Sequence, residues 1–149
     1  MTRIGASLKG FEGADAKLGR IDLVLRGKAR RAGLRAAALV VRRAAKRLAP
    51  RSTTRTTGKH LADTMSMKTK EYKGGAIEVA VVGPARPEGS HGHLVEFGHR
   101  IVGPKPDKVD TGRRSKAKAF LTTAVDQTRS QQQSAFIDAL DKQIKDAIR

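Results

Sequence analysis

The chain has no cysteine, so neither a disulfide nor a thiolate metal site can form. It also has no tryptophan, one tyrosine and four scattered phenylalanines. With aromatics at 3% and much of the apolar content alanine, little is available to build a deep core. Part of the stability is therefore expected from packing against copies of the chain or its neighbours. The same shortage argues against a membrane-surface protein, which needs Trp, Phe or Leu gathered on one helix face. No apolar run approaches the roughly 18 residues of a membrane span. Met1 to Gly10 holds no apolar stretch of the signal-peptide kind, so the reading is of a protein made in a cytoplasm, with no membrane partner.

Positive charge is what the chain has in surplus. Its 149 residues, the length of one domain, carry 31 Lys and Arg against 14 Asp and Glu, a net charge of +17. The excess is uneven. Residues 1–59 hold 16 basic and 3 acidic side chains, residues 60–118 hold 11 and 7, and residues 119–149 hold 4 and 4. A surplus of this size points to a polyanion nearby, most often nucleic acid.

The first long element is predicted as a helix from about Asp15, a plausible N-cap, to Ala49, where Pro50 stops it. Gly27 and Gly33 are places where it bends or splits. Leu34, Ala38, Val41, Ala45 and Leu48 recur at spacings of four and three, which sets them on one stripe. Arg31, Arg35, Arg42 and Lys46 form an adjacent basic stripe, widened by Arg43 and Arg47. From Arg26 to Arg51 there are ten basic residues and no acidic one. Like charges at these spacings repel and weaken a helix unless something offsets them. A phosphate backbone does so, with counterion release as a further gain. The plainer alternatives are a solvated face, or a face against acidic neighbours in an assembly. Base reading is not indicated, because no helix-turn-helix, zinc finger or RNA-binding aromatic motif is present.

Residues 51–60 have no periodicity and read as a loop. A strand or short helix is expected near Leu61 to Lys70, then a turn at Glu71–Gly75 and a strand over Ile77–Val82, with Ile77, Val79 and Val81 on one face and Gly83–Pro84 as its end. A hairpin pairing 65–72 with 76–82 is the simplest arrangement. Residues 84–93 are a Pro- and Gly-rich loop, and Leu94–Gly98 a short ordered element. Residues 100–118, with the cluster Arg113, Arg114, Lys116 and Lys118, read as a loop long enough to be functional or mobile. A terminal helix begins with Phe120, Leu121, Ala124 and Val125. It continues with Phe136, Ile137, Leu140, Ile144 and Ile148, and Gln131–Gln133 marks a polar face or a break between the two patches. The fold class is α+β: a long N-terminal helix and a C-terminal helix packed on a small antiparallel β-sheet, with extended loops.

Candidate chemistry is sparse. His91, His93, Glu96 and His99 include competent metal ligands, but their spacing suits no familiar site, and they read as a loop with incidental histidines. Ser90 and Ser115 lack a nucleophile-elbow context, and Gly83–Gly89 is followed by Ser-His rather than by the Lys of a phosphate-binding loop. Glu96 beside Phe97 reads as a structural anchor, with Phe97 packed into the core and Glu96 holding a backbone or arginine partner at a subunit junction. Catalysis, cofactors and metals are not indicated.

The order of short motifs is more informative than any one of them. Leu48-Ala49-Pro50 is followed by Thr57-Gly58 and Leu61, by Val82-Gly83, by Val95-Glu96-Phe97-Gly98, and by Phe120-Leu121 with Ala124. This order resembles the tail-completion, or head–tail joining, proteins of long-tailed bacteriophages over roughly residues 30–125. His99 stands where that family often has Thr, and Ala119 where it often has Pro. The resemblance implies one connector domain over residues 1–149, with loops at about 51–60 and 84–118 that meet neighbouring subunits or rings. It implies a structural protein of the virion neck, without catalysis or cofactor, in a ring of six copies. Its partners would be copies of itself, the connector or stopper, the tail terminator or tail tube, and double-stranded DNA held without sequence preference. Arg35, Arg42, Arg43, Lys46 and Arg47 would face the DNA channel or its rim, and Glu96, Phe97, His99, Arg113 and Arg114 would serve assembly. The alternatives are a free, non-specific DNA-binding architectural protein and a stopper or tail-terminator subunit of the same neck.

Overall fold

The computed structural model describes residues 18–19, 22, 25–51, 59–75, 77–103 and 109–148. The predicted N-cap Asp15 and most of the 51–60 loop lie outside them. A π-helical turn at Leu25–Ala29, which contains Gly27, leads into helix α1, Arg30–Leu48. The bend thus falls at the first of the two predicted glycines. Ala49 leaves the helix in extended geometry, as the residue before a proline must. Lys46 and Arg47 in the last turn complement the negative end of the helix dipole.

Next come a 3-10 turn at Leu61–Thr64 and two antiparallel strands, β1 (Met65–Tyr72) and β2 (Ile77–Pro84), paired from Met65 opposite Pro84 to Tyr72 opposite Ile77. The hairpin matches the predicted pairing and runs two residues further. Lys73 and Gly74 both take positive φ, 50° and 64°, which a tight right-twisted turn needs and Gly74 supplies without strain. Helix α2 spans Gly92–Phe97.

Residues 100–118 are not a plain loop. β3 (Arg100–Val102) and β4 (Asp110–Arg114) form a second antiparallel pair whose side chains are all exposed. The terminal helical region is two helices, α3 (Phe120–Gln127) and α4 (Arg129–Ile148). The break falls at Thr128, just before the glutamine run. There the Thr128 hydroxyl donates to Ala124 O at 2.7 Å, and Gln132 Nε2 donates to Val125 O at 2.9 Å across the joint.

The core lies where α1, the 3-10 turn, the start of β1 and α3 converge: Ala44, Ala45, Ala49, Leu61, Ala62, Met65, Phe120 and Ala124. Among the described residues, Phe120 is the one large side chain removed completely from solvent. Small residues allow close backbone approach instead. A Cβ placed on Gly33 would lie 2.8 Å from the Phe136 ring, so this glycine sets how near α4 comes to α1. Of the predicted apolar stripe, Ala38, Val41 and Ala45 are buried, Leu34 is half-buried and Leu48 is 38% exposed. The buried side of α1 is turned toward Ala44, which the spacing argument passed over.

The hairpin has two different faces. Met67, Thr69, Glu71, Glu78, Ala80 and Val82 alternate toward α1. Ile77, Val79 and Val81 do share a face, as the alternation predicts, but it is the outer one, and they are 39–51% exposed.

Candidate assembly and nucleic-acid surfaces

Glu96 lies on the last turn of α2 with a carboxylate that points inward. The residue is 3% exposed. Its Oε2 accepts the Leu121 amide at 2.9 Å, and its Oε1 accepts the Thr122 amide at 3.0 Å and the Thr122 hydroxyl at 2.8 Å. These are the unpaired donors of the first turn of α3, so Glu96 caps a helix that starts 24 residues later in the sequence. Burial opposes the charge, but the amides of Leu121, Thr122 and Phe120 and the Thr122 hydroxyl outweigh it and hold the carboxyl below its ordinary value. The backbone is fastened as well: Lys118 and Ala119 donate to Val95 O and Glu96 O at 3.0 and 3.1 Å.

The Val-Glu-Phe-Gly motif can thus be read residue by residue. Val95 packs on the core. Glu96 caps α3. Gly98 takes φ 72°, and a Cβ there would lie 2.5 Å from Ser115 O. Phe97 does not pack into the core as expected: it is 75% exposed, because α2 turns Glu96 inward and its next residue outward. His99 Nδ1 and amide both meet Ser115 Oγ, at 2.8 and 2.9 Å. Arg113 and Arg114 stand exposed on β4. His93 meets Ser90 O, and among the described residues no three His, Asp or Glu side chains gather to hold a metal.

Arg35, Arg42, Arg43, Lys46 and Arg47 all lie exposed on α1, but they are not equivalent. Arg42 Nε donates to Met65 O at 2.9 Å and ties the helix to β1. Lys46 and Arg51 stand 3.5 and 3.8 Å from Asp63. Among the described residues, Arg35, Arg43 and Arg47 have no acidic partner.

Further back on α1, Arg30 and Arg31 reach Glu78 at 3.4 Å, and Arg31 also pairs with Glu71. Glu71 and Glu78 are direct cross-strand partners, a repulsive arrangement that these arginines neutralise. Part of the charge surplus of α1 is therefore answered by the hairpin. Sequence reasoning missed this because the partners are more than 40 residues away.

Between α1, β2 and α3 the small side chains leave an open groove of about 800 Å3, lined mainly by Leu34, Val41, Ala80, Val82, Leu121 and Val125. No helix among the described residues is long and apolar enough to cross a membrane.

The family described as "Bacteriophage HK97-gp10, putative tail-component" matches residues 14–98, more than half of the chain, from the approach to α1 through the Val-Glu-Phe-Gly motif. No curated protein and no solved structure matches the chain. The conjunction of the basic helix, the hairpin and the α2 motif within that matched span places the chain in the HK97-gp10-like family of bacteriophage tail components.

Proposed function

We propose that this tail component is a non-enzymatic ring subunit of the head–tail neck. Six copies would surround the DNA path between the capsid connector and the tail, and contact the stopper or connector on one side and the terminator or tube on the other. The observation that carries the reading is the outer face of α1, where Arg35, Arg43 and Arg47 are exposed without an acidic partner among the described residues. Repeated around a ring, this face would present positive charge to phosphates without reading bases. The Ala-rich core and the open groove support a subunit stabilised by its neighbours.

The test changes Arg35, Arg43 and Arg47 together to Gln and leaves the Arg42 and Lys46 braces intact. The channel role predicts joined particles with altered DNA retention or ejection. Heads and tails that fail to join would assign the stripe to a protein interface. Tight DNA binding by the purified monomer or dimer would favour a free architectural protein.

A further inference from the structure

We propose that copies of this chain join head to tail, with the outer face of the β1–β2 hairpin of one copy seated on the outward stripe of α4 of the next. The inference rests on the ring reading above and assigns the interface on which that ring would be built.

The hairpin supplies one half. Tyr72, Ile77, Val79 and Val81 are 48%, 46%, 39% and 51% exposed, and the strand register puts them on one side together with Lys68 and Lys70. A contiguous apolar face of this kind is uncommon on a chain with so few large apolar residues, and it invites a partner.

Helix α4 supplies the other half. Its buried side turns Phe136 toward Gly33 of α1. At 100° per residue the opposite side carries Ser134, Ile137, Asp138 and Asp141. Ile137 is 55% exposed, and among the described residues neither aspartate has a basic partner.

Charge selects this pairing over a symmetric one. At a net charge of +17, copies repel unless the contact itself brings opposite signs together. Residues 119–149 are the one balanced stretch, with four basic and four acidic side chains. Hairpin against hairpin would set Lys68 and Lys70 against themselves. Hairpin against α4 sets them against Asp138 and Asp141, with Val79 and Val81 against Ile137.

Placement fits as well. The hairpin and α4 both pack on α1, so α1 lies between them and their free faces look away from each other. Two different faces on opposite sides of one subunit make a heterologous contact, which closes into a ring when the rotation per subunit allows.

The absence of cysteine gives a clean background for mapping the contact. Val79→Cys and Ile137→Cys lie at exposed positions. Mixed and treated with a short bis-maleimide, the two single variants are expected to give a crosslinked heterodimer. One chain carrying both changes is expected to give a ladder that ends at the closed ring. Lys68→Glu with Lys70→Glu should cut the crosslink yield roughly tenfold, and adding Asp138→Lys with Asp141→Lys should restore it. Oligomers seen by light scattering without this crosslink would overturn the interface and leave the ring reading standing. Crosslinked Val79→Cys homodimers would overturn it in favour of a symmetric contact. A chain that stays monomeric and uncrosslinked at every concentration would overturn both.

Discussion

The carboxylate of Glu96 receives both the amide and the hydroxyl of Thr122, at 3.0 and 2.8 Å, and so fastens the end of α2 to the start of α3. The carboxylate is engaged within its own chain, and the expected cost of losing it falls first on the fold. Glu96→Gln keeps the shape, removes the charge and offers the amides a weaker acceptor. It should destabilise the chain by about 1–3 kcal/mol, measured by urea unfolding.

The same contact makes stability depend on pH with a definite sign. The folded Glu96 carboxyl lies below its ordinary value, so its contribution is fully present above that value. As pH falls through the ordinary carboxylate range toward the folded value, the contribution is lost. The acid limb of the stability curve should be shallower in Glu96→Gln than in the parent chain.

Phe97 and Phe120 should respond in opposite ways. Phe97 is 75% exposed and Phe120 is 1% exposed. Phe120→Ala should cost about 3–5 kcal/mol of stability. Phe97→Ala should change it by no more than about 0.5 kcal/mol, while lowering the yield of joined particles if this ring of atoms faces a neighbour. Calorimetry on both variants, with particle counts for Phe97→Ala, checks the pair.

Gly33 has Phe136 directly above it, with no room for a side chain. Gly33→Val should force α1 and α4 apart at a cost of about 1–3 kcal/mol, visible as a lower thermal midpoint. Gly27, beside which a Cβ would meet nothing within 4 Å, is the control.

Ala119 holds a left-handed backbone, φ 43°, just before α3. Ala119→Gly relieves this strain and should raise stability by up to about 1 kcal/mol, less the entropy that glycine adds to the unfolded chain. Chemical denaturation measures the balance.

How much could be read in advance depends on how local the cause is. The span of α1 follows from its four-and-three apolar spacing and Pro50, and the β1–β2 hairpin from alternation around Gly74–Gly75. β3 and β4 were read as a loop because Arg100–Val102 and Asp110–Arg114 bury nothing, so no hydrophobic pattern marks them. Phe97 was expected inside because it is apolar, yet the short α2 has room to turn only one of Glu96 and Phe97 inward. The clamp of Arg30 and Arg31 on Glu78, and the Glu96 cap, join residues that no local rule connects. The basic stripe was legible as charge, but which of its members brace the fold was not: Arg42 depends on Met65 O and Lys46 on Asp63.

The joint at Thr128 has a consequence for how the chain comes to be folded. Run straight, α3 and α4 would make a rod of about 43 Å, far longer than α1. Broken at Thr128, both lie against α1, the earliest long helix in the chain. During synthesis α1 therefore leaves the ribosome about a hundred residues before the helix that covers it. Until then its apolar side has only the hairpin to lean on, while its cationic side is complete from the start. Folding should finish only after release of the C-terminus, with slow non-local closure as its last stage. Truncation anywhere in α4 would then leave a chain that is made but never closed.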